Sequence, residues 1–143
     1  MLTTIFVLLV VFQLKHFLAD YPLQNEYMLG KFKKSPEYIA PLFAHVFVHG
    51  IFTFYITLFS TGLMILAFGL MAFDMVCHFI MDRIKASPDI LGRFKPLTKE
   101  TYPTATMDEK KSNMYFWWSL GLDQSVHHLT HYVIIYFIIK AIS

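Results

Sequence analysis

Residues 63–82 read LMILAFGLMAFDMVCHFIMD. Twenty helical residues are roughly what the ~30 Å hydrocarbon core of a bilayer requires. Asp74, His78 and Asp82 break the apolar run, and they stand four apart. On a helix with 3.6 residues per turn that step puts all three in one stripe, one turn apart. The stretch therefore reads as a membrane-spanning helix with one polar edge. That edge has to face other protein, because a carboxylate at mid-span costs roughly 2.5–3.5 kcal/mol on insertion scales.

Three more runs are long enough to span: Leu2 to Ala19, Pro41 to Phe59 and Tyr115 to Ile139. The expected fold is all-α, a single integral membrane bundle of four transmembrane helices over residues 1–143. Ser60-Thr61-Gly62 is the whole connection between the second and third spans, so those two form a tight antiparallel hairpin. Two longer connections remain, residues 21–40 and 83–114. Thr106 and Glu109 have capping-box spacing, so the fourth helix is expected to start well outside the membrane. The first span lacks a basic leading region and a small-x-small site and ends on Lys15, His16 and Asp20, so it reads as a permanent helix rather than a cleaved signal.

Composition agrees. Of the 143 residues 56% are hydrophobic and 15% charged, against about 25% charged in a soluble domain, and the mean hydropathy is +0.50. A net charge of +2 gives no footing for a nucleic-acid partner, and the single Cys77 excludes an intrachain disulfide. The long connections carry ten of the twelve Lys and Arg residues, among them Lys31, Lys33, Lys34, Arg83, Lys85, Arg93, Lys95 and Lys99, whereas the opposite side has only Lys140. The positive-inside rule puts both connections in the cytoplasm and both termini on the non-cytoplasmic side, with Tyr115, Trp117 and Trp118 as a cytoplasmic aromatic belt.

Every span has its own polar stripe. His16 and Asp20 are four apart, as are His45 and His49; Asp123, His127 and His131 repeat the step seen at Asp74, His78 and Asp82. Spans one and three carry these groups at their ends and spans two and four at their beginnings. In an alternating topology all four stripes meet at one depth near the cytoplasmic boundary, which describes a site inside a bundle. Imidazole with carboxylate suits a divalent transition metal such as Zn, Mn, Fe, Ni or Co, zinc foremost, and the number of groups allows one or two ions. His128 is turned about 100° from His127 and is not expected to be a ligand. Read singly, His16–Asp20 is equally an interfacial helix-end pair, and His45 and His49 are equally interhelical hydrogen-bonders.

His16-x3-Asp20 followed by Leu23-Gln24, then His45-x3-His49, His78-x3-Asp82-x2-Lys85 and Asp123-Gln124-x2-His127, resemble an uncharacterised bacterial and phage membrane family, domain of unknown function 3307. The resemblance runs from span one to the middle of span four and implies a bacterial inner-membrane setting. The family is distantly similar to membrane-bound metal-dependent hydrolases, which implies a reaction class without a substrate.

The leading expectation is a membrane-embedded metal hydrolase acting on a lipid or other amphiphile at the cytoplasmic leaflet. His16, His45, His49, His78, Asp82, His127 and His131 are the candidate metal ligands. Asp74, Asp20 and Asp123 are the candidate general base or orienting groups. Lys31, Lys33, Lys34, Arg83 and Lys85 are expected to hold an anionic head group. The alternative is a non-catalytic metal-binding or ion-pathway protein that modulates a host membrane system. The oligomeric state is not readable from these residues.

Overall fold

A computed structural model describes residues 1–34, 36–87, 90–91 and 104–143. Arg93, Lys95, Lys99 and most of the second long connection lie outside the described residues. The described chain is all-α: α1 (Leu2–Asp20), a short 3₁₀ helix (Met28–Phe32), α2 (Ile39–Thr61), α3 (Met64–Ala86), α4 (Met107–Ser112) and α5 (Met114–Ile142). The helices α1, α2, α3 and α5 are long and apolar enough to cross a membrane. Only 28–39% of the most apolar window of each is buried within the bundle. Phe59, Ile65, Phe68 and Trp118 are among the large side chains left on the outside. Water is a poor surrounding for such a surface, and a membrane protein is the reading it supports.

The four long helices extend beyond their apolar runs. α2 continues through Ser60 and Thr61, so the reversal is made by Gly62 and Leu63 alone. Gly62 takes φ +70°, the left-handed conformation that glycine adopts without a Cβ penalty, and its N–H donates to Leu58 O at 2.8 Å. Thr61 Oγ1 donates to Thr57 O and accepts from Leu63 N, closing the turn. α3 runs a further turn past Asp82, because Arg83 and Lys85 both find partners there. The capping box at Thr106 and Glu109 forms, but it starts the separate six-residue α4. Glu109's carboxylate accepts from the Thr106 N–H and hydroxyl, which holds its pKa below the ordinary glutamate range. Asn113, with ψ 78°, then breaks the helix and caps α5 by accepting from Phe116 N. The fourth span thus begins at its own cap, not at the capping box.

Around the bundle α1 packs on α2 and α5, α2 most extensively on α3, and α3 on α5. Met1, Thr4, Ile139, Ile142 and Ser143 line a common cavity, so the two termini share an end. Next to that end lies an apolar core of Leu8, Phe12, Leu70, Ile134, Ile135 and Ile138. The hairpin helices meet closely at Gly50, where an added Cβ would lie 2.6 Å from Met75 Cγ and 2.8 Å from its Sδ. Overpacking a tight contact typically costs about 1–3 kcal/mol. Gly50→Ala is expected to fall in that range by thermal unfolding in mild detergent, and an unchanged midpoint would show that Met75 simply swings aside.

The first long connection is a cover rather than a bare tether. Asn25 Oδ1 accepts from Met28 N to start the 3₁₀ helix, and Gly30 lies against Pro41 so closely that a Cβ would come 2.8 Å from its Cγ. Arg83 reaches across from α3, donating to Lys33 O at 3.1 Å, with its guanidinium carbon 3.6 Å from the centre of the Tyr38 ring. These contacts fix the 3₁₀ helix beneath the polar end of the bundle and aim Lys31 inward.

Candidate metal centre

The polar stripes come together in three layers. The outermost contains Asp20 from α1, His45 from α2, Asp82 from α3 and Asp123 from α5. The ends of α1 and α3 therefore meet the beginnings of α2 and α5. His45 Nε2 is 3.3 Å from Asp20 Oδ1 and 3.1 Å from Asp82 Oδ2. His49 Nε2 is 3.1 Å from the same Asp20 oxygen. Asp123 Oδ2 accepts from Lys85 Nζ at 2.5 Å and from Gln124 Nε2 at 3.1 Å. Lys31 Nζ, from the 3₁₀ helix, is 3.5 Å from Asp82 Oδ2.

The middle layer is four imidazoles. The His78 ring centre lies 4.1 Å from those of both His49 and His127, and His16 is 5.2 Å from His127. His78 Nδ1 is 3.0 Å from its own helix's Asp74 O and 3.1 Å from Asp74 Oδ1. Both neighbours are acceptors, so Nδ1 carries a proton, and Nε2 is buried without a hydrogen-bond partner. His16 Nε2 faces Gln124 Oε1 at 3.0 Å and Asp20 Oδ2 at 3.2 Å.

The deepest layer joins Lys15, Thr53, Asp74 and His131, all buried. Asp74 Oδ2 accepts from Lys15 Nζ at 2.7 Å and from Thr53 Oγ1 at 2.6 Å. Lys15 also lies 3.2 Å from His131 Nε2, and since an ammonium only donates, that nitrogen is the acceptor. His128 lies off the stripe, half-buried, with Nδ1 3.1 Å from Gln13 Nε2.

These side chains form four groups that can hold a metal ion, each offering three ligand atoms within 4.8 Å of one another: His16–His49–His78, Asp20–His45–His49, Asp74–His78–His131 and Asp82–Asp123–His127. The donor set fits a transition ion. Two ligands each about 2.1 Å from a tetrahedral ion stand about 3.4 Å apart, and His45 Nε2 and His49 Nε2 lie 3.3 and 3.1 Å from Asp20 Oδ1. His45 is fully buried, yet neither of its nitrogens makes an aligned hydrogen bond, although Nε2 touches two carboxylates. His127 and Asp123 Oδ1 are likewise buried without hydrogen bonds. Natural proteins seldom bury polar atoms in this way unless an ion or water completes them. In the deepest group the cation is already present: the Lys15 ammonium sits on Asp74 and His131.

The family described as Protein of unknown function (DUF3307) matches residues 7–143. The chain belongs to this family. No curated protein and no solved structure matches it.

In this DUF3307 chain all ten histidine and aspartate residues singled out from sequence come together in the bundle. Three cations, Lys15, Lys31 and Lys85, did not figure in that reading as members of the cluster. Lys31 and Lys85 are turned into it rather than toward a head group, and Arg83 is spent on backbone carbonyls and Tyr38. Lys15 reads as an interfacial residue, but it shares the buried face of α1 with Leu8, Phe12, His16 and Ala19, a 3.6-residue periodicity that marks it. Thr53 extends the step of four from His45 and His49 in the same way.

Proposed function

We propose that this chain is an integral membrane protein, in the bacterial inner membrane with both termini on the non-cytoplasmic side, whose bundle holds a divalent transition metal near the cytoplasmic boundary and hydrolyses a lipid or other amphiphile there. The observation that carries the metal reading is His45, fully buried, with Nε2 at ion-pair distance from two carboxylates and no aligned hydrogen bond. The ten-to-one Lys and Arg bias supports the orientation.

Asp20, His45 and His49 would hold the ion, with zinc the first candidate; His49 also belongs to the His16–His49–His78 group of the middle layer. Such an ion supplies Lewis acidity and brings the pKa of water toward about 7. Asp74, whose Oδ2 is filled by Lys15 and Thr53, holds His78 through its backbone carbonyl, 3.0 Å from Nδ1. Proton handling falls to Asp20 Oδ2 with His16. Asp20 is the most accessible of the four aspartates, its side chain 16% exposed, so water entering from the connection side meets it first. Lys33 and Lys34, which stay exposed, are the remaining candidates for an anionic head group.

An ion pathway across the bundle is the weaker reading. Beyond Asp74 and Thr53 the interior closes with Phe12, Leu8, Leu70 and the isoleucines of α5, which suits a site open at one end.

Elemental mass spectrometry of the protein purified in mild detergent tests the metal, alongside a His45→Ala/His49→Ala variant. A stoichiometric transition metal lost in the variant supports the centre and justifies lipid-hydrolysis assays with that metal. No metal above background after controlled reloading removes the reading, and a loaded protein inert toward every amphiphile class leaves the non-catalytic metal protein.

A further inference from the structure

Asp82, Asp123 and His127 form a group that shares no residue with Asp20, His45 and His49. It is nevertheless joined to that group through the 3.1 Å approach of Asp82 Oδ2 to His45 Nε2. All three residues are buried. Both nitrogens of His127 and Oδ1 of Asp123 have no hydrogen-bond partner, and His127 Nδ1 is 3.6 Å from that oxygen. What distinguishes this group is the Lys85 ammonium on Asp123 Oδ2. Lys85 is not sealed in: its side chain is 23% exposed, whereas Asp123 is fully buried. It sits on the last turn of α3, one turn beyond Asp82, where a change of rotamer carries a long flexible side chain out to the surface.

Charge counting gives the lysine a purpose. The outer layer holds three carboxylates, Asp20, Asp82 and Asp123, and two ammonium groups, Lys31 and Lys85. One divalent ion at Asp20–His45–His49 takes that layer from −1 to +1. A second divalent ion added beside both lysines would leave it at +3 in a poorly solvated interior, which electrostatics opposes strongly. With Lys85 withdrawn the charge is +2, and with Lys31 also turned outward it returns to +1.

We propose that Asp82, Asp123 and His127 form a second site for a divalent transition metal, and that the Lys85 side chain acts as its tethered, displaceable cation. The inference rests on the metal reading of the neighbouring group. Lys85 keeps Asp123 neutralised while the second site is empty, and an ion entering there must expel it. The first ion therefore binds without competition and the second binds against the lysine.

Equilibrium dialysis of the detergent-solubilised protein against buffered free Zn²⁺, with elemental analysis of the retained metal, tests this on wild type, Lys85→Met and Lys85→Met/Asp123→Asn. The double variant removes both charges of the pair and controls for folding, which size-exclusion elution and helical circular dichroism report for all three. Wild type is expected to bind one ion tightly and a second only at higher free metal. Lys85→Met should bind the second at least about tenfold more tightly, as loss of one adjacent like charge predicts, and the double variant should return to one. A folded Lys85→Met that keeps wild-type binding overturns the proposal while leaving the first site standing. Equal affinity for two ions in wild type and Lys85→Met overturns it as well. No metal in any of the three proteins overturns the metal reading itself.

Discussion

Lys15→Met is expected to destabilise the bundle by about 3–5 kcal/mol, the range found when one partner of a buried ion pair is removed. Lys15 and Asp74 are 2.7 Å apart with side chains 1% and 0% exposed. The variant leaves the Asp74 carboxylate among Thr53, His78 and apolar neighbours, without water to solvate it and without an opposite charge. Asp74→Asn strands the ammonium instead and should cost a similar amount. The double variant Lys15→Met/Asp74→Asn removes both charges and should recover most of the loss, because a neutral pair of similar volume avoids the desolvation penalty. Unfolding midpoints in mixed micelles measure all three, with Lys33→Met as the exposed-lysine reference, expected to be nearly silent. A Lys15→Met midpoint equal to that reference would show that the deep pair contributes nothing to the fold.

That pair also shows where sequence reasoning about this chain stops. The four long apolar helices were legible because apolar runs of about twenty residues, the length a bilayer would require, stand out from the rest of the chain. Their ends were less so. Ser60 and Thr61 look like loop residues and are helical, and Arg83 to Ala86 look like the start of a connection and complete α3. In each case a specific partner, the Thr57 carbonyl or the Asp123 carboxylate, sustains the helix where hydropathy has lapsed. The stripes were legible because a step of four on a helix is a face. Which groups meet across helices was not, since that depends on how each helix is rotated and how closely neighbours approach. Gly50 against Met75 is one such approach, and no periodicity encodes it. Lys15 shows a different failure. A lysine near the end of a span is ordinarily counted toward topology, and snorkelling is its usual fate. Its position on the face of Leu8, Phe12 and Ala19 carried the opposite information, and Asp74 in the same deep layer supplies the partner.

Metal binding should appear as stability, and it should discriminate among the histidines. A ligand that binds only the folded state stabilises it by about 2.7 kcal/mol when present at roughly 100 times its dissociation constant. Zn²⁺ or Co²⁺ at that level is therefore expected to raise the unfolding midpoint by several degrees, and a chelator should reverse the shift. His49→Ala removes a ligand from the Asp20–His45–His49 group and should abolish most of the gain. His131→Ala is expected to behave differently, although His131 belongs to a stripe identical in spacing. Its Nε2 accepts from Lys15 at 3.2 Å, and the ammonium between it and Asp74 repels any further cation from that group. The variant should unfold earlier than wild type without metal, because Lys15 loses an acceptor, yet keep the full metal-induced shift. Loss of the shift in His131→Ala with its retention in His49→Ala would place the ion in the deep layer and require Lys15 to leave its carboxylate. Equal retention in both would remove Asp20, His45 and His49 as the binding group. Each histidine has a carboxylate within reach, Asp20 for His49 and Asp74 for His131, so composition does not separate them; the lysine does.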